Sequence, residues 1–497
     1  MTNSAVTSNS SVDEARVVDA VPTGLFIGGD WRPARSGRTL TVDDPATGKA
    51  LCEVADAGPE DGMDALAAAA AAQPSFATMP PRARGEILRR AYELMMERID
   101  DLALLMTLEM GKPLAESRGE ITYAAEFFRW FAEEAVRNDG GYAIAPNGAS
   151  RFLVQKQPVG VCLLITPWNF PMAMGTRKIG PAVAAGCTMV LKPASQTPLS
   201  MHALAAILTE AGLPDGVLNL VTTSDAGGVM EPLIRDGRAR KLSFTGSTPV
   251  GRKLLEQAAE KVLRTSMELG GNAPFLVFDD ADLDSAVEGA MLAKMRNMGE
   301  ACTAANRFLV QRSVAGAFAD RLAERMSGLN VGRGTEAGVD VGPLVDAKGR
   351  DKVAELVQDA VERGATVRVG AEPVDGPGYF YRPTVLTDVP LEARLTEEEI
   401  FGPVAAISVF DHEDEAVAAA NDTEFGLVSY LYTENVTRAM RVSERLESGM
   451  VGLNTGLVSN PAAPFGGIKQ SGLGREGGRV GIEEFLETKY VAIGFGG

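Results

Sequence analysis

Histidine, cysteine and positive charge are all scarce in this sequence. Its 497 residues include two histidines and four cysteines, and 48 basic against 66 acidic residues give a formal net charge of −18. So few histidines argue against a zinc site or a catalytic triad built on several of them. The acidic balance argues against nucleic acid as a partner, because binding phosphates requires a concentrated basic surface.

The cysteines stand far apart in the sequence, at Cys52, Cys162, Cys187 and Cys302. Their spacing excludes the CxxC metal and redox motifs and is typical of a reducing compartment. Long apolar segments are also missing, since the longest run, 159–166, is far too short to span a membrane. Residues 1–21 lack the apolar segment of a secretory signal and the early arginines of a transit peptide. We therefore expect a disordered tail at 1–21 and a cytoplasmic protein.

What is present is the composition of a globular protein with more than one lobe. Hydrophobic residues make up 45% of the chain and charged residues 23%, both ordinary values for globular proteins. Because single hydrophobic cores stop growing beyond about 250–300 residues, a chain of 497 residues predicts two or three lobes.

Apolar periodicity divides the chain into a helical segment and two series of alternating strands and helices. Helices are predicted at 64–72, 82–108 and 199–211. Buried strands are predicted at 159–166, 188–191, 217–221 and 241–244, and a second series at 275–278, 307–310, 366–369, 405–409 and 430–432. Alternation with short connections indicates parallel sheets joined by crossovers. The predicted fold class is therefore α/β, with a Rossmann-like cofactor domain followed by a second α/β domain.

Cys302 is the most informative residue, because small side chains follow it and leave a carbonyl free to approach. Glu268 lies earlier in the chain, just ahead of the paired glycines Gly270 and Gly271. A thiol and a carboxylate suit a reaction that forms a thioester and then needs a base to hydrolyse it. Taken alone, each residue has an ordinary interpretation as well, since most cysteines are buried small hydrophobes and most glutamates are solvated.

Together with motifs further along, these residues resemble the aldehyde dehydrogenase superfamily, over residues 25–492. In that family the cysteine attacks the aldehyde, and the glutamate of the Glu-Leu-Gly-Gly motif activates the hydrolytic water. The resemblance implies Cys302 as nucleophile and Glu268 as general base. It also implies that Asn169, in a turn with prolines at both ends, stabilises the oxyanion. The residues alone leave open a turn asparagine that bonds its own backbone.

The resemblance also implies a dinucleotide site, although the sequence has no GxGxxG fingerprint. In 244–248 a strand end leads into a helix, where glycine lets a pyrophosphate approach the helix N-terminus. An ordinary capped helix is the alternative for this segment. The residues that the resemblance assigns to the cofactor are Trp168, Lys192, Ser195, Gly246, Ser247, Glu399 and Phe401.

Ser195 bears on the choice between the two nicotinamide cofactors. A carboxylate there would bond the 2′-hydroxyl of NAD and repel the 2′-phosphate of NADP, whereas serine can bond either group. The sequence therefore predicts NADP or NAD as cofactor, with NADP slightly favoured, and no metal ion.

Arg177 and Arg296 lie close in sequence to the predicted chemistry. Guanidinium groups are costly to bury without an anion and suit bidentate binding of a carboxylate. With Ser459 they match the positions that hold the distal carboxylate in succinate-semialdehyde dehydrogenases. The resemblance thus implies oxidation of succinate semialdehyde to succinate through a cysteine thiohemiacetal and thioester, followed by hydrolysis.

Three alternatives to this function stay open. Glutarate semialdehyde is one methylene longer, and such a difference is worth only about 1–3 kcal/mol of discrimination. A broad-specificity aldehyde dehydrogenase would use the arginines for structure alone. A non-catalytic protein that reuses the fold is the alternative from another class.

Glu300 stands where the family usually has glutamine, two residues before the nucleophile. Its carboxylate either raises the pKa of the Cys302 thiol or points away from it.

The family further implies a division of the chain. We expect the tail at 1–21, a cofactor-binding domain at 22–139 and 161–268, an oligomerisation element at 140–160 and 479–497, and a catalytic domain at 269–478. The segment 486–495 is apolar and strand-like, and such an edge is an aggregation hazard if left uncovered. We therefore expect a homodimer or homotetramer that acts on a small aldehyde with a distal carboxylate, without nucleic acid or membrane as partner.

Overall fold

The structure is a computed structural model that describes residues 13–494. Its α-helices are α1 (residues 13–19), α2 (Pro59–Ala77), α3 (Pro81–Glu97), α4 (Ile99–Met110), α5 (Leu114–Glu134), α6 (Ala173–Ala185), α7 (Leu199–Glu210), α8 (Ala226–Asp236), α9 (Thr248–Ala259), α10 (Leu283–Met295), α11 (Arg312–Ser327), α12 (Ala347–Glu362), α13 (Arg394–Glu397), α14 (Glu413–Asn421) and α15 (Val436–Arg445). Two 3₁₀ helices span Arg296–Gly299 and Arg479–Phe485. Its strands are β1 (Leu25–Ile27), β2 (Asp30–Arg32), β3 (Thr39–Asp44), β4 (Lys49–Ala55), β5 (Gly141–Ile144), β6 (Ser150–Pro158), β7 (Val161–Ile165), β8 (Met189–Lys192), β9 (Leu218–Leu220), β10 (Ala239–Thr245), β11 (Arg264–Glu268), β12 (Ala273–Val277), β13 (Ala305–Gln311), β14 (Thr366–Val369), β15 (Thr384–Thr387), β16 (Val404–Phe410), β17 (Phe425–Gly426), β18 (Val428–Tyr432), β19 (Met450–Leu453), β20 (Ile468–Lys469), β21 (Gly472–Leu473) and β22 (Leu486–Gly494).

The first lobe is built on an eight-stranded sheet with the order β2-β1-β9-β8-β7-β10-β11-β21. Its five central strands run parallel. Successive residues of β7 enter two different cores, with Leu164 packed among α3–α7 and Leu163 packed on the side of α2 and α8. A parallel sheet covered on both faces needs apolar side chains in both directions. This explains the unbroken apolar run Val161–Ile165.

The second lobe contains a seven-stranded sheet with the order β14-β15-β16-β13-β12-β18-β19. All its strands run parallel except β14 at the edge. Phe275 and Phe308 from adjacent strands lie 5.1 Å apart between ring centroids and form the middle of its core. The strands predicted for both series are confirmed.

A third sheet of order β22-β6-β5 is antiparallel and joins the C-terminal strand to the 141–158 hairpin. It exposes large apolar side chains, with Tyr142 65% and Tyr490 64% exposed. Both segments belong to the predicted oligomerisation element, whose residues 495–497 lie outside the described part.

Three features differ from the sequence-based expectations. Residues 13–19 are helical rather than disordered, because Val17, Val18 and Val21 are buried beside Leu105 and Leu108 of α4. The tail prediction is therefore wrong from residue 13 onward, and residues 1–12 lie outside the described part.

The other two differences concern a helix and a boundary. The helix predicted at 82–108 is two helices, which meet at Arg98 with φ −111° and ψ 19°. Within the predicted catalytic segment, β21 returns to the first lobe and pairs with β11. Within residues 13–494, no helix combines the length and the apolar character needed to cross a membrane.

Candidate active site

The carboxyl ends of parallel strands meet at one edge of the first sheet, where ligands bind in α/β folds. Asn169 follows β7, Lys192 ends β8, Gly246 follows β10 and Glu268 ends β11. Four residues that are distant in sequence thus lie along the same edge because their strands are neighbours in the sheet.

Cys302 lies in the loop between the 3₁₀ helix Arg296–Gly299 and β13 of the second lobe. The loop packs so closely on the turn after Glu268 that a Cβ added to Gly271 would lie 2.5 Å from the carbonyl oxygen of Cys302. A side chain at Gly271 would therefore push the nucleophile loop away. The hydroxyl of Tyr430 donates to the carbonyl oxygen of Thr303 at 2.8 Å and anchors the loop from the other side.

A cavity of about 900 Å³ lies between the lobes and reaches Cys302. Its lining includes Trp168, Asn169, Ser247, Phe401 and the thiol residue itself. Clefts of this size between lobes are the usual place for cofactors. The sequence-predicted nucleophile, oxyanion donor and cofactor segment are therefore brought together.

The Cys302 thiol is largely removed from water. Burial raises its pKa to about 12, and the carboxyls of Glu399 and Glu268 act in the same direction. The nearby guanidinium groups of Arg177 and Arg296 oppose the increase. The resting side chain is therefore a thiol near neutral pH, and it must give up a proton before it attacks a carbonyl.

Glu268 is 4% exposed, and its Oε2 has no hydrogen-bond partner among the described residues. Burial raises the pKa of Glu268 well above its usual range, and Glu476 adds to this, while Arg177, Lys178 and Arg475 oppose it. A carboxylate held in this way is a stronger base than a solvated one. It can take a proton from water in the site.

Asn169 is held rigidly with its side chain in the cavity. Its Nδ2 donates to the carbonyl oxygen of Glu300 at 3.0 Å, which leaves the second amide hydrogen for another acceptor. Its own carbonyl oxygen accepts from Lys112 at 2.8 Å and from Asn297 at 3.0 Å. The geometry suits a donor aimed at a developing oxyanion.

The support of Asn169 comes from residues that sequence reasoning missed. The ammonium of Lys112 pairs with Glu120 on α5, and both side chains are 1% exposed. Glu120 also accepts from the backbone N–H groups of Met172 and Ala173 at the start of α6. Their signal in the sequence was weak, since Lys112 lies in the short loop between α4 and α5 and Glu120 is a single charged residue on the buried face of α5.

Glu300 turns toward the cofactor side of the cavity. Its Oε1 accepts from the backbone N–H of Val345 at 3.2 Å, and its Oε2 has no partner among residues 13–494. Burial raises the pKa of Glu300 well above its usual range, and Asp346 adds to this. This shift favours the protonated form of Glu300 and disfavours a negative charge beside the nucleophile.

Glu399 and Phe401 lie across the cavity from the first lobe. The Oε1 of Glu399 accepts from the backbone N–H of Gly271 at 3.1 Å, and burial raises its pKa to about 7. Phe401 packs edge-on against Trp168 with 5.4 Å between ring centroids. The two aromatic side chains and the carboxylate form one end of the cavity.

At the other end, the residues fit a dinucleotide. α9 begins after Ser247, which makes no side-chain capping bond, so the first N–H groups of the helix face the cavity without a cap. A Cβ on Gly246 would lie 2.5 Å from the ring of Phe244, so no larger residue fits there. Free helix N–H groups are suited to a pyrophosphate.

Lys192 and Ser195 lie next to this end without lining the cavity, whereas their neighbour Gln196 does line it. Lys192 is 8% exposed, and burial lowers its pKa to about 8. Within the described part it makes no side-chain hydrogen bond or ion pair. The hydroxyl of Ser195 bonds the side chain of Gln196 at 3.3 Å and meets no carboxylate.

The predicted substrate residues lie beyond Cys302, outside the cofactor cavity. Arg296 donates to the hydroxyl of Ser459 at 3.2 Å, lies over the ring of Phe170, and has no ion-pair partner within residues 13–494. Arg177 is 2% exposed and lies 2.8 Å from the carboxylate of Glu476. The pair Arg177–Glu476 was not expected, because Glu476 carries no sequence signal beyond its glycine neighbours.

Comparisons with known proteins agree with this geometry. Residues 31–491 match the family model described as the aldehyde dehydrogenase family. A succinate-semialdehyde dehydrogenase of Paenarthrobacter nicotinovorans is 60% identical over 89% of this chain and 98% of its own length. A glutarate-semialdehyde dehydrogenase of Pseudomonas aeruginosa is 52% identical over 94% of this chain and 97% of its own.

Among solved structures, the crystal structure of an NADP-dependent enzyme of Escherichia coli has a TM-score of 0.95 and 52% sequence identity. The match covers 96% of this chain and 99% of that one. One explanation accounts for the fold, for the thiol and carboxylate at the junction of two lobes, and for the family match. This chain belongs to the aldehyde dehydrogenase family.

Proposed function

We propose that this chain oxidises succinate semialdehyde to succinate with NADP or NAD. The observation that carries the proposal is Arg296, a half-buried guanidinium beside the nucleophile that has Ser459 but no carboxylate as partner in the described part. A half-buried guanidinium without an ion-pair partner keeps unused donors, and a substrate carboxylate would complete the site. The name of the Paenarthrobacter relative supports the same substrate.

The reaction follows from the placement of three side chains. The sulfur of Cys302 attacks the aldehyde carbon, and Asn169 donates a hydrogen bond to the oxyanion of the thiohemiacetal. Loss of hydride leaves a thioester on the sulfur. Glu268 then takes a proton from water, which attacks the thioester and releases the acid.

The residues fit a nicotinamide dinucleotide, which when bound supplies the hydride acceptor. Gly246, Ser247 and the N-terminus of α9 would hold the pyrophosphate. Lys192 and Ser195 would hold the adenosine ribose, and Ser195 leaves room for a 2′-phosphate without repulsion. Glu399, Phe401 and Trp168 would orient the nicotinamide end. The name of the NADP-dependent Escherichia coli structure supports the slight preference for NADP.

Glutarate semialdehyde is the second candidate substrate. A glutarate-semialdehyde dehydrogenase matches this chain over nearly the same length as the succinate-semialdehyde dehydrogenase. One methylene changes the fit of the tail without changing the carboxylate that Arg296 would bind.

The assignment of each segment of the chain to a domain forms part of the proposal. The lobe at 22–139 and 161–268 would bind the cofactor, and 269–478 would carry the nucleophile. The segments 140–160 and 479–497 would join subunits of a homodimer or homotetramer, which is supported by the exposed Tyr142 and Tyr490. A cytoplasmic location fits the four unpaired cysteines.

The test compares substrates in wild type and in Arg296→Gln. We expect wild type to prefer succinate semialdehyde over butanal, an aldehyde of equal length without the carboxylate. Arg296→Gln should lower kcat/KM for succinate semialdehyde by about 10- to 100-fold, since a hydrogen bond to a charged group is worth about 1.5–3 kcal/mol. It should leave butanal nearly unchanged.

Arg82→Gln, at an exposed position of α3, serves as the control. Equal losses on both aldehydes in Arg296→Gln would contradict the proposal. The same assays with NAD and with NADP rank the two cofactors. Assays with glutarate semialdehyde beside succinate semialdehyde rank the two substrates.

A further inference from the structure

Asn297 is a fully buried residue that contacts both the predicted oxyanion donor and the loop that carries the nucleophile. Its Nδ2 donates to the carbonyl oxygen of Asn169 at 3.0 Å and to that of Glu300 at 2.9 Å. The Nδ2 of Asn169 donates to the same carbonyl oxygen of Glu300 at 3.0 Å. These three hydrogen bonds close a triangle, and Cys302 follows Glu300 by two residues. Asn297 therefore bridges the first lobe and the nucleophile loop.

The backbone places this amide through a left-handed turn. Asn297 has φ 54° and ψ 42°, Met298 has φ 53° and ψ 23°, and Gly299 continues the turn at φ 77°. Left-handed backbone is rare outside glycine, although asparagine adopts it more readily than most residues. Such a conformation persists where surrounding contacts hold it, and these places are often functional. One such contact is Glu116 on α5, whose Oε2 accepts from the backbone N–H of Asn297 at 2.6 Å.

The chemistry of the two amides fixes their orientation. Both acceptors in the triangle are carbonyl oxygens, which cannot donate, so each asparagine directs its nitrogen toward them. The Nδ2 of Asn297 uses both of its hydrogens in this way. The Nδ2 of Asn169 uses one, and its second hydrogen is the donor for the oxyanion. The direction of the second hydrogen depends on the first, because both lie in the plane of one amide group.

We propose that Asn297 is a positioning residue, whose amide holds the donor hydrogen of Asn169 in the direction of the substrate's carbonyl oxygen. The inference rests on the proposed function, since it needs Asn169 as the oxyanion donor. Without the amide of Asn297, the carbonyl oxygen of Glu300 keeps only one of its two amide donors, and Asn169 loses one of the bonds that fix its backbone. The donor hydrogen and the sulfur of Cys302 then lose their fixed relation. A misplacement of about 1 Å at a reacting centre costs about 100-fold in rate.

The experiment is a double-mutant cycle on the first burst of reduced cofactor, followed by stopped-flow absorbance with succinate semialdehyde. Asn169→Ala should slow the burst by about 10²- to 10³-fold, the usual loss for one oxyanion donor. Asn297→Gly removes the amide but suits the left-handed backbone, and it should slow the burst by about 10- to 100-fold. The double variant should be no slower than Asn169→Ala, because Asn297 acts only through Asn169. Multiplied losses in the double variant would overturn the proposal.

A second measurement separates the direction of the donor from the placement of the thiol. Alkylation of Cys302 by iodoacetamide forms no oxyanion, so its rate should be the same in Asn297→Gly as in wild type. Mass spectrometry of the peptide that contains Cys302 gives this rate. If alkylation slowed as much as the burst, Asn297 would place the sulfur rather than the donor, and the proposal would be wrong.

Asp388→Gly is the matched control, because Asp388 is exposed and also has a left-handed backbone, with φ 53°. It should change neither the burst nor the alkylation rate. If Asn297→Gly does not fold, as judged by thermal unfolding and dinucleotide binding, Asn297→Asp takes its place. Aspartate keeps the size of the side chain, replaces the donor nitrogen with an oxygen, and should give the same pattern in the cycle.

Failure of this inference is distinguishable from failure of the proposed function. Asn169→Ala tests the oxyanion donor of the proposed reaction, and the preference for succinate semialdehyde over butanal tests its substrate. A slow burst in Asn169→Ala together with multiplied losses in the double variant would refute the role of Asn297 alone.

Discussion

At the scale of single residues, the site contains groups whose pKa values are shifted from their ordinary range by burial. Burial raises the pKa of Cys302 to about 12 and that of Glu399 to about 7, and it lowers that of Lys192 to about 8. Cys302 and Glu399 line the cavity between the lobes, and Lys192 lies next to it. An added positive charge or a hydrogen-bond donor brought by a ligand would favour the ionised forms of the thiol and the carboxyl.

Replacement of Glu268 by glutamine tests its assignment as the hydrolytic base. Glu268→Gln keeps the size of the side chain and removes the proton acceptor, so steady-state turnover should fall by about 10²- to 10⁴-fold. The first burst of reduced cofactor, which precedes hydrolysis, should remain near one equivalent per site. Stopped-flow absorbance measures both phases.

Glu256→Gln on the exposed face of α9 provides a matched control and should change neither phase. If the burst disappeared along with turnover in Glu268→Gln, the carboxyl would be needed before hydrolysis, and the assignment would be wrong.

At the scale of secondary-structure elements, the protein is held together by buried polar contacts between distant segments. His202 on α7 bonds the carbonyl oxygen of Pro22 at 2.7 Å and the hydroxyl of Thr222 at 2.8 Å. It therefore connects the N-terminal segment to the first sheet. Burial lowers the pKa of His202 to about 4. The ring is neutral in the folded protein over the whole range in which an unfolded histidine takes up a proton.

This contact makes the folded state sensitive to acid. Because the folded pKa of about 4 lies below the unfolded value of 6.5, stability is unaffected above about pH 6.5 and falls as the pH drops from 6.5 toward 4. At pH 5 the loss attributable to His202 is about 2 kcal/mol. We expect His202→Gln to be less stable at pH 7 but to lose less on going to pH 5, as measured by urea unfolding.

His412 offers the matched control, since it is exposed. His412→Gln should keep the full acid sensitivity of the wild type, and an unchanged pH dependence in His202→Gln would refute the assignment.

The elements that could be predicted from sequence are those whose signal is local. Apolar runs predicted most of the parallel strands of both sheets but not β11, β15 and β19. The family resemblance, not spacing, paired Glu268 with Cys302. The short strands before residue 59 and the two-residue β21 carry no comparable run, so they were missed. The ion pairs Lys112–Glu120 and Arg177–Glu476 could not be predicted from the sequence for another reason. Their members meet only once distant elements pack, and no spacing in the chain encodes that meeting.

At the scale of the whole molecule, the β5-β6-β22 sheet is the surface that needs explanation. Tyr142, Ile144 and Tyr490 are more than half exposed on it. Tyr142 and Ile144 lie on one face of the sheet and Tyr490 on the other, because Tyr142 pairs with Leu153 whereas Tyr490 pairs with Val154. Exposed apolar side chains on a small sheet are typical of a surface that associates with another chain. A symmetric contact between two copies of the sheet would cover the apolar side chains on both.

Charge placed on this sheet should therefore reduce the assembly. Tyr490→Asp introduces a carboxylate where the proposed contact excludes water, and we expect a smaller species in analytical ultracentrifugation at micromolar concentration. Val262→Asp, at an exposed loop position of the first lobe, is the control and should sediment as the wild type does. A wild-type protein that sediments as a monomer would contradict the prediction.

The return of β21 to the first sheet has a consequence for biosynthesis. Ser471 bonds the carbonyl oxygen of Gly270 from 201 positions further along the chain, and β21 then pairs with the strand that ends in Glu268. On the ribosome, the first lobe therefore emerges long before the segment that closes the edge of its sheet. The edge of β11, the strand that ends in Glu268, lacks its β21 partner until nearly the last residues are translated. The edge of the sheet that carries Glu268 is therefore completed after translation of the nucleophile loop, by a segment about 170 residues further along the chain.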